Sequence, residues 1–489
     1  MAQRPSGSSR RSVLSVAATA TAAVTAVAAT TAAGVPSGGR RAGAGSGGAE
    51  PSRREGSGGA PVTAQRPDPE LCALLAEIDR RRIETTVRRL VSFGTRHTLS
   101  AQHDPVRGIG AARDWIYAQM TRYAAASGGR MTVELQSYVQ EPAPRVPVAT
   151  RITNVVATLR GSLAPDRLHI VSGHYDSRAG DVMDATSDAP GADDDASGVA
   201  VVLELARVMA TRRPAATLVL AAVAGEEQGL YGAAHLAERC KAAGADVQGM
   251  FTNDIVGSST AEDGTRDPYT VRLFAEGVPT AETPEQAAVR RAVGGENDGP
   301  SRQLARFVRD VADNDATGMR VRVVQRRDRY LRGGDHIPFL ERGWPAVRFT
   351  EPAEDFAHQH QDVRVAGGKS YGDLPEFCDF GYIARVARVN AAALWSQAQA
   401  PRAPRNVKIL TTAPGNSTEL TWERVTEPDA AGYEVVWRGT TEPEWTHVVE
   451  VGEVTRYTVG LSKDNVLFGV RAVGRRGHRG PVAFPAPQR

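Results

Sequence analysis

Short apolar runs alternating with segments of helical period predict a three-layer α/β/α domain with a mostly parallel mixed sheet. A tail of short alternating strands predicts a small all-β sandwich after it. At 489 residues the chain is long enough for both. A third observation locates the chemistry. The acidic and histidine clusters fall at the ends of the apolar runs, where open α/β sheets bind their ligands.

Residues 1–33 carry the pair Arg10 and Arg11, then an uncharged Ala/Val/Thr stretch with small residues near its end. This is the pattern of a cleaved export signal of twin-arginine type, and it predicts a secreted protein. Residues 34–66 are Gly, Ser, Ala, Pro and Arg with few large apolar residues, which predicts a flexible linker. The α/β domain is expected over 67–400. It opens with two amphipathic helices, LCALLAEIDRRRIETTVRRLVSF and IGAARDWIYAQMTRYAAA. The runs MTVELQSYV, ITNVVATLRG, LHIVSGH, TLVLAAVAG, GMFTND, MRVRVVQ and PAVRFTE read as strands. Helical segments such as SGVAVVLELARVMATRR lie between them. The polar stretch from Ser258 to Asn314 reads as an insertion that shapes substrate access. A helix ending near residue 400 closes the domain, and a Pro/Arg linker predicts separate folding of the tail over 404–489.

Lys and Arg number 59 against 56 for Asp and Glu, a balance that gives no electrostatic reason for nucleic-acid or anionic-membrane binding. No later segment is long and apolar enough to span a bilayer. Three cysteines, Cys72, Cys240 and Cys378, form no CxxC pair and leave room for one bridge and one free thiol.

The stretch HYDSRAGDVMDATSDAPGADDDASG places His174, Asp176, Asp193, Asp194 and Asp195 close in sequence. LVLAAVAGEEQ ends on Glu226 and Glu227, MFTND on Asp254, and FAHQHQD supplies His358 and His360. So many carboxylates repel one another unless cations lie among them. Nitrogen and oxygen donors without thiolates suit a catalytic metal centre, and two histidines with several carboxylates suit two metal ions. Alone, each piece has an ordinary explanation: an HxD hydrogen bond, a solvated acidic loop, a charge pair at a helix start.

Taken together, SGHYDS, PGADDDASG, GEEQGLYG, TNDIVG, GGDHIPF and HQHQDV resemble the zinc aminopeptidases of peptidase family M28, over residues 70 to 400. The resemblance implies a zinc-exopeptidase fold with two zinc ions per chain. By position, His174 and Asp254 hold one zinc, Glu227 and a late histidine the other, and Asp194 bridges them. His360 is the expected late histidine, with His358 as the alternative. Asp176 is expected to orient His174, and Glu226 to act as general base on a bridging water. Gly334 stands where relatives often carry serine, while Asp335 and His336 are kept and imply a substrate-pocket role. Trp422, the tyrosine of AGYEVVW and FGVRAV resemble a fibronectin type III domain, which implies a spacer or a module for a protein or surface partner.

The implied activity is aminopeptidase, acting on peptide or protein N-termini. Two rivals stand beside it: a glutaminyl cyclase-like enzyme with a single zinc, and a non-catalytic binding protein on a peptidase fold.

Overall fold

The computed structural model describes residues 59–412 and 415–488. The export signal and most of the linker lie outside the described residues. Three helices lead in: α1 (Pro69–Ala76), α2 (Arg80–Val91) and α3 (Ile109–Ala125). Asp68 and Asp79 cap the first two, each accepting from a backbone N–H of the first turn. Helix α2 buries Ile83, Val87 and Leu90, the one-face spacing of an amphipathic helix.

The short strand β1 (Ala60–Pro61) precedes them. The main sheet has eight strands: β2 (Met131–Gln140), β3 (Thr150–Leu159), β4 (Ala164–His174), β5 (Ala216–Val223), β6 (Asp246–Asn253), β7 (Thr270–Phe274), β8 (Arg320–Val324) and β9 (Ala346–Thr350). Their order is β2-β3-β5-β4-β6-β9-β7-β8. The centre β5-β4-β6-β9 is parallel, β7 pairs parallel with β8, and the remaining pairings are antiparallel.

Alternation along β5 makes the layers. Leu218, Leu220 and Ala222 enter the larger core, under α4 (Ala196–Met209) and α10 (Phe380–Gln399). Val219, Ala221 and Val223 enter the smaller one, under α6 (Tyr231–Ala242) and α9 (Ile337–Leu340). The expected three-layer fold with a mostly parallel mixed sheet is therefore present. Between β5 and α6 lies the single turn α5 (Glu226–Gly229).

The stretch 258–314 is no mere insertion. It contributes β7 to the sheet, then α7 (Pro284–Val293) and α8 (Pro300–Ala312), whose Leu304, Phe307, Val308 and Val311 lie in the main core. Its polar composition hid these pieces because β7 is only five residues long and α8 buries four polar side chains, Ser301, Arg302, Gln303 and Arg306.

After a small hairpin, β10 (Arg364–Ala366) with β11 (Lys369–Tyr371), and α10 comes a two-sheet sandwich. Its strands are β12 (Lys408–Leu410), β13 (Thr418–Thr421), β14 (Ala430–Gly439), β15 (His447–Gly452), β16 (Arg456–Val459), β17 (Val466–Gly474) and β18 (Ala486–Gln488). The sheets are β1-β15-β14-β17 and β16-β13-β12-β18, around Trp422, Tyr433, Val435, Trp437 and Phe468.

Two expectations change here. The last part of the 34–66 linker is ordered: Ala60 and Pro61 pair antiparallel with Val448 and His447. A strand edge offers free backbone groups to any extended segment, so even this Gly- and Pro-rich stretch finds partners. The tail is also not loosely tethered. Asp298, fully buried, bridges Arg306 Nη1 (2.8 Å) and Arg438 Nη2 (2.7 Å) across the junction. Trp445 Nε1 donates to Gln303 Oε1, and Arg167 pairs with Glu427. Sequence periodicity finds each domain's own core but not which faces of two domains meet.

All three cysteines are free. Among the described residues no helix is long and apolar enough to cross a membrane.

Candidate metal centre

The site forms where β4, β5 and β6 end together. Gly173 and Gly198 make this close: a Cβ on Gly173 would lie 2.6 Å from the Gly198 carbonyl carbon, and one on Gly198 2.4 Å from the Asn253 oxygen. The start of α4 thus sits directly on the strand ends. Asp195 clamps it there, accepting from Gly198 N and from His174 N, both at 2.9 Å.

This brings Asp194 Oδ1 to 3.1 Å from His174 Nε2, with Asp254 Oδ1 4.0 Å from the same nitrogen. On its other side Asp194 Oδ2 lies 2.9 Å from His360 Nε2, which is 3.0 Å from Glu227 Oε1. Two groups suited to a cation result, His174–Asp194–Asp254 and Asp194–Glu227–His360, and they share Asp194. These are the five expected ligands in the expected partition. His358 is not among them; it stacks on Phe377 at 3.6 Å between ring centres and contacts Asp355. His360 takes a left-handed φ of 51°, a costly conformation for a residue with a Cβ, which turns its ring towards Glu227 and Asp194.

Asp176 is fully buried. Its carboxylate accepts from Glu226 N (3.3 Å) and Glu227 N (3.1 Å), so it fixes the α5 turn. Towards His174 its carboxylate stands 3.6 Å from Nδ1, while its main-chain oxygen is nearer at 3.2 Å. It therefore holds the Glu-Glu turn more firmly than the histidine it was expected to orient. Glu226 is half-buried, whereas Glu227 is 5 % exposed. Asp335 and His336 are buried at 1 % and 0 %; they lie beneath the site and do not line an open pocket. Both Asp335 oxygens lack partners.

Burial pushes the Glu226 carboxyl well above the usual range, and Asp254, Glu227 and Asp335 add to this against His174. Burial also pushes Asp335 up to about 8. Burial opposes the charged form of His360, yet Glu227 and Asp194 outweigh it and push the imidazole up to about 10. His174, also opposed by burial, is held well above its ordinary value by Asp176 and Asp194. The carboxylates thus favour positive charge at both imidazoles. His174 Nε2 is buried without a hydrogen bond and points at Asp194 and Asp254, as a metal-binding nitrogen would. The donor set, nitrogen and oxygen only, fits zinc of the catalytic kind.

The sequence profile of peptidase family M28 matches residues 154–365, which hold all five of these residues. A "Probable zinc metalloprotease" of Leptosphaeria maculans is 56% identical over 421 residues, covering 86% of this chain and 98% of that protein. The chain belongs to peptidase family M28. A second "Probable zinc metalloprotease", from Pyricularia oryzae, is 56% identical over 432 residues, covering 87% of this chain and 86% of its own. The crystal structure of Legionella LapA has a similar fold at 18% identity, with a TM-score of 0.51 over 69% of this chain and 78% of that one.

Three residues that position this M28 site escaped sequence reasoning. Asp373 accepts from Asp193 N (2.7 Å) and Asp194 N (2.8 Å) and so holds the acidic loop. Arg96, fully buried, donates to the carbonyls of Tyr175, Pro190 and Gly191 and ties the HYD and PGADDD segments together. Arg348 pairs with Asp254 (2.9 Å) and with Asp328. Each is distant in sequence from what it holds, and a lone Arg or Asp carries no motif.

Proposed function

We propose that this M28 peptidase is a secreted aminopeptidase with two zinc ions per chain, cutting peptides next to their N-terminus. The observation that carries the reading is the sharing of Asp194 between two histidine–carboxylate groups, a set that gathers negative charge at no benefit to the fold unless two cations balance it. His174 and Asp254 would hold one ion, Glu227 and His360 the other, and Asp194 both. Zinc, when bound, supplies Lewis acidity, polarising the scissile carbonyl and making water more acidic.

The chain's own groups then divide the work. Glu226 is half-open to the site, and its basicity is raised, so it takes a proton from the attacking water and returns it to the leaving amine. Glu227 is buried and faces His360, so it stays with the ligand shell. Asp176, through its two backbone hydrogen bonds, keeps the two glutamates pointing different ways. Residues 1–33 are read as the export signal and the C-terminal sandwich as a fibronectin type III-like module. A single-zinc cyclase would have no use for a second complete group.

The test is metal analysis joined to hydrolysis of aminoacyl arylamides beside N-blocked controls. The expected result is about two zinc ions per chain, activity lost to chelators and restored by zinc, and no cleavage of blocked substrates. One zinc with full activity would overturn the shared-site reading, and cleavage of blocked substrates would overturn the aminopeptidase reading.

A further inference from the structure

Beside the site lies a cleft of about 670 Å³, walled by the 326–333 loop on one side and by Leu230 and Ile337 on the other. Leu230 directly follows the α5 turn that carries Glu226 and Glu227. The loop runs into Gly334, where a Cβ would lie 3.3 Å from Asp254 Oδ2 and 3.4 Å from Arg348 Nη1. The cleft therefore borders the elements bearing the proposed base and two proposed ligands.

Its charge is one-sided. The loop, RRDRYLRG, carries four arginines and one aspartate, and Asp328 is turned inward to Arg348. Arg329 and Arg332 pair with Glu354 at 3.3 and 2.8 Å. Arg326 and Arg327 are exposed and have no carboxylate within 4 Å among the described residues; the Arg326 guanidinium rests 5.1 Å above the Tyr330 ring. The base of the loop is fixed, since His336 Nε2 meets the Arg327 oxygen at 2.8 Å and Arg348 donates to the Gly333 oxygen at 3.1 Å. Its tip projects Tyr330 and Leu331, 76 % and 97 % exposed, with Leu331 at a left-handed φ of 56°. A leucine held in that conformation in water gains nothing for the fold.

We propose that this cleft selects an acidic side chain of the peptide, one or two residues from the scissile bond, with Arg326 and Arg327 as its specificity-determining charges and Tyr330 and Leu331 as its apolar lip. The proposal rests on the peptidase reading above. An exposed guanidinium attracts a carboxylate through screened water, so each contributes modestly, and two together give about a three- to tenfold preference.

The experiment uses peptides that carry Glu or the isosteric Gln at the first, second or third position from the N-terminus. In the wild type kcat/KM favours Glu about three- to tenfold at one position at least. That ratio shrinks towards one in 0.5 M salt, where the Debye length falls to about 4 Å, and in the Arg326→Gln/Arg327→Gln double variant. Ratios near one at all three positions, or a preference that the double variant leaves unmoved, overturn the proposal. The same peptides are titrated into the zinc-loaded Glu226→Gln protein by calorimetry. A Glu-over-Gln preference in Kd without turnover by the wild type refutes the peptidase reading alone, whereas turnover without any charge preference refutes the cleft alone.

Discussion

Replacing Asp298 by alanine should uncouple the two halves of the molecule. Asp298 has no exposed side-chain surface and lies between Arg306 and Arg438, themselves 4 % and 3 % exposed, with Gln303 Nε2 3.1 Å from the same carboxylate. Arg302 stands close enough for burial and the neighbouring Arg306 to lower its pKa to about 10. Removing this anion leaves the buried Arg306 and Arg438 guanidiniums without the carboxylate that bridges them. Breaking a buried pair from one side costs about 3–5 kcal/mol. At roughly 2–4 °C per kcal/mol the melting midpoint should fall by about 6–20 °C. Differential scanning calorimetry should show the drop and a splitting of the transition as the sandwich separates from the peptidase domain. Asp298→Asn keeps an acceptor without the charge and should lie between the two. A loss under about 1 kcal/mol with a single unchanged transition would refute the reasoning, because it would mean the guanidiniums are solvated or neutralised by other groups.

Glu226→Gln should keep its zinc and substrate affinity while kcat falls by about 10²- to 10⁴-fold, whereas Glu227→Gln should lose metal first and regain activity with added zinc; metal content and kcat measured on both variants would expose swapped roles if the outcomes reverse. His360→Ala should lower zinc stoichiometry towards one, and His358→Ala should leave it unchanged, as mass spectrometry under native conditions reads directly. Because His360 holds its proton up to about pH 10 in the metal-free chain, zinc must displace that proton. Apparent zinc affinity should therefore rise with pH through the neutral range and proton release should accompany loading; isothermal titration in buffers of different ionisation enthalpy that finds no proton release would contradict this.

The candidate ligand set was legible because each residue sits in a local motif, from SGHYDS to HQHQD, at a strand end or in a loop beyond one, and strand ends converge in a parallel sheet. The placing of His358 and His360 was not, since two residues of spacing cannot say which ring turns inward; with a left-handed backbone at His360 it is that ring which lies beside Asp194 and Glu227. Asp335 and His336 show what a linear pattern leaves out. Their polarity suggested a pocket wall, yet both are buried, with Asp328 and the Arg327 oxygen against the His336 ring, a burial no one-dimensional pattern displays. The central strands were readable from unbroken apolar runs such as LVLAAV. The strand β7 and helix α8 were masked by arginines and a glutamine whose partners are distant in sequence: Glu354 for Arg272, and Pro443 and Trp445 of the sandwich for Arg306 and Gln303.

The pairing of β1 with β15 has a consequence for how the chain is made. Gln65 Oε1 accepts from Arg479 N, 414 residues later, and the Thr63 oxygen accepts from Arg479 Nη1 across 416. At about 5–20 residues per second of synthesis, the earliest of these residues wait roughly 20–80 s for their partners to exist. Until then the edge of β15 has not been built and the 59–66 segment has nothing to pair with. Closure of this sheet therefore waits until residues 447–479 have been made, long after the segment they pair with. A chain made past Arg479 becomes distinguishable from a shorter one at this step, for instance by protection of the 59–66 segment from a protease.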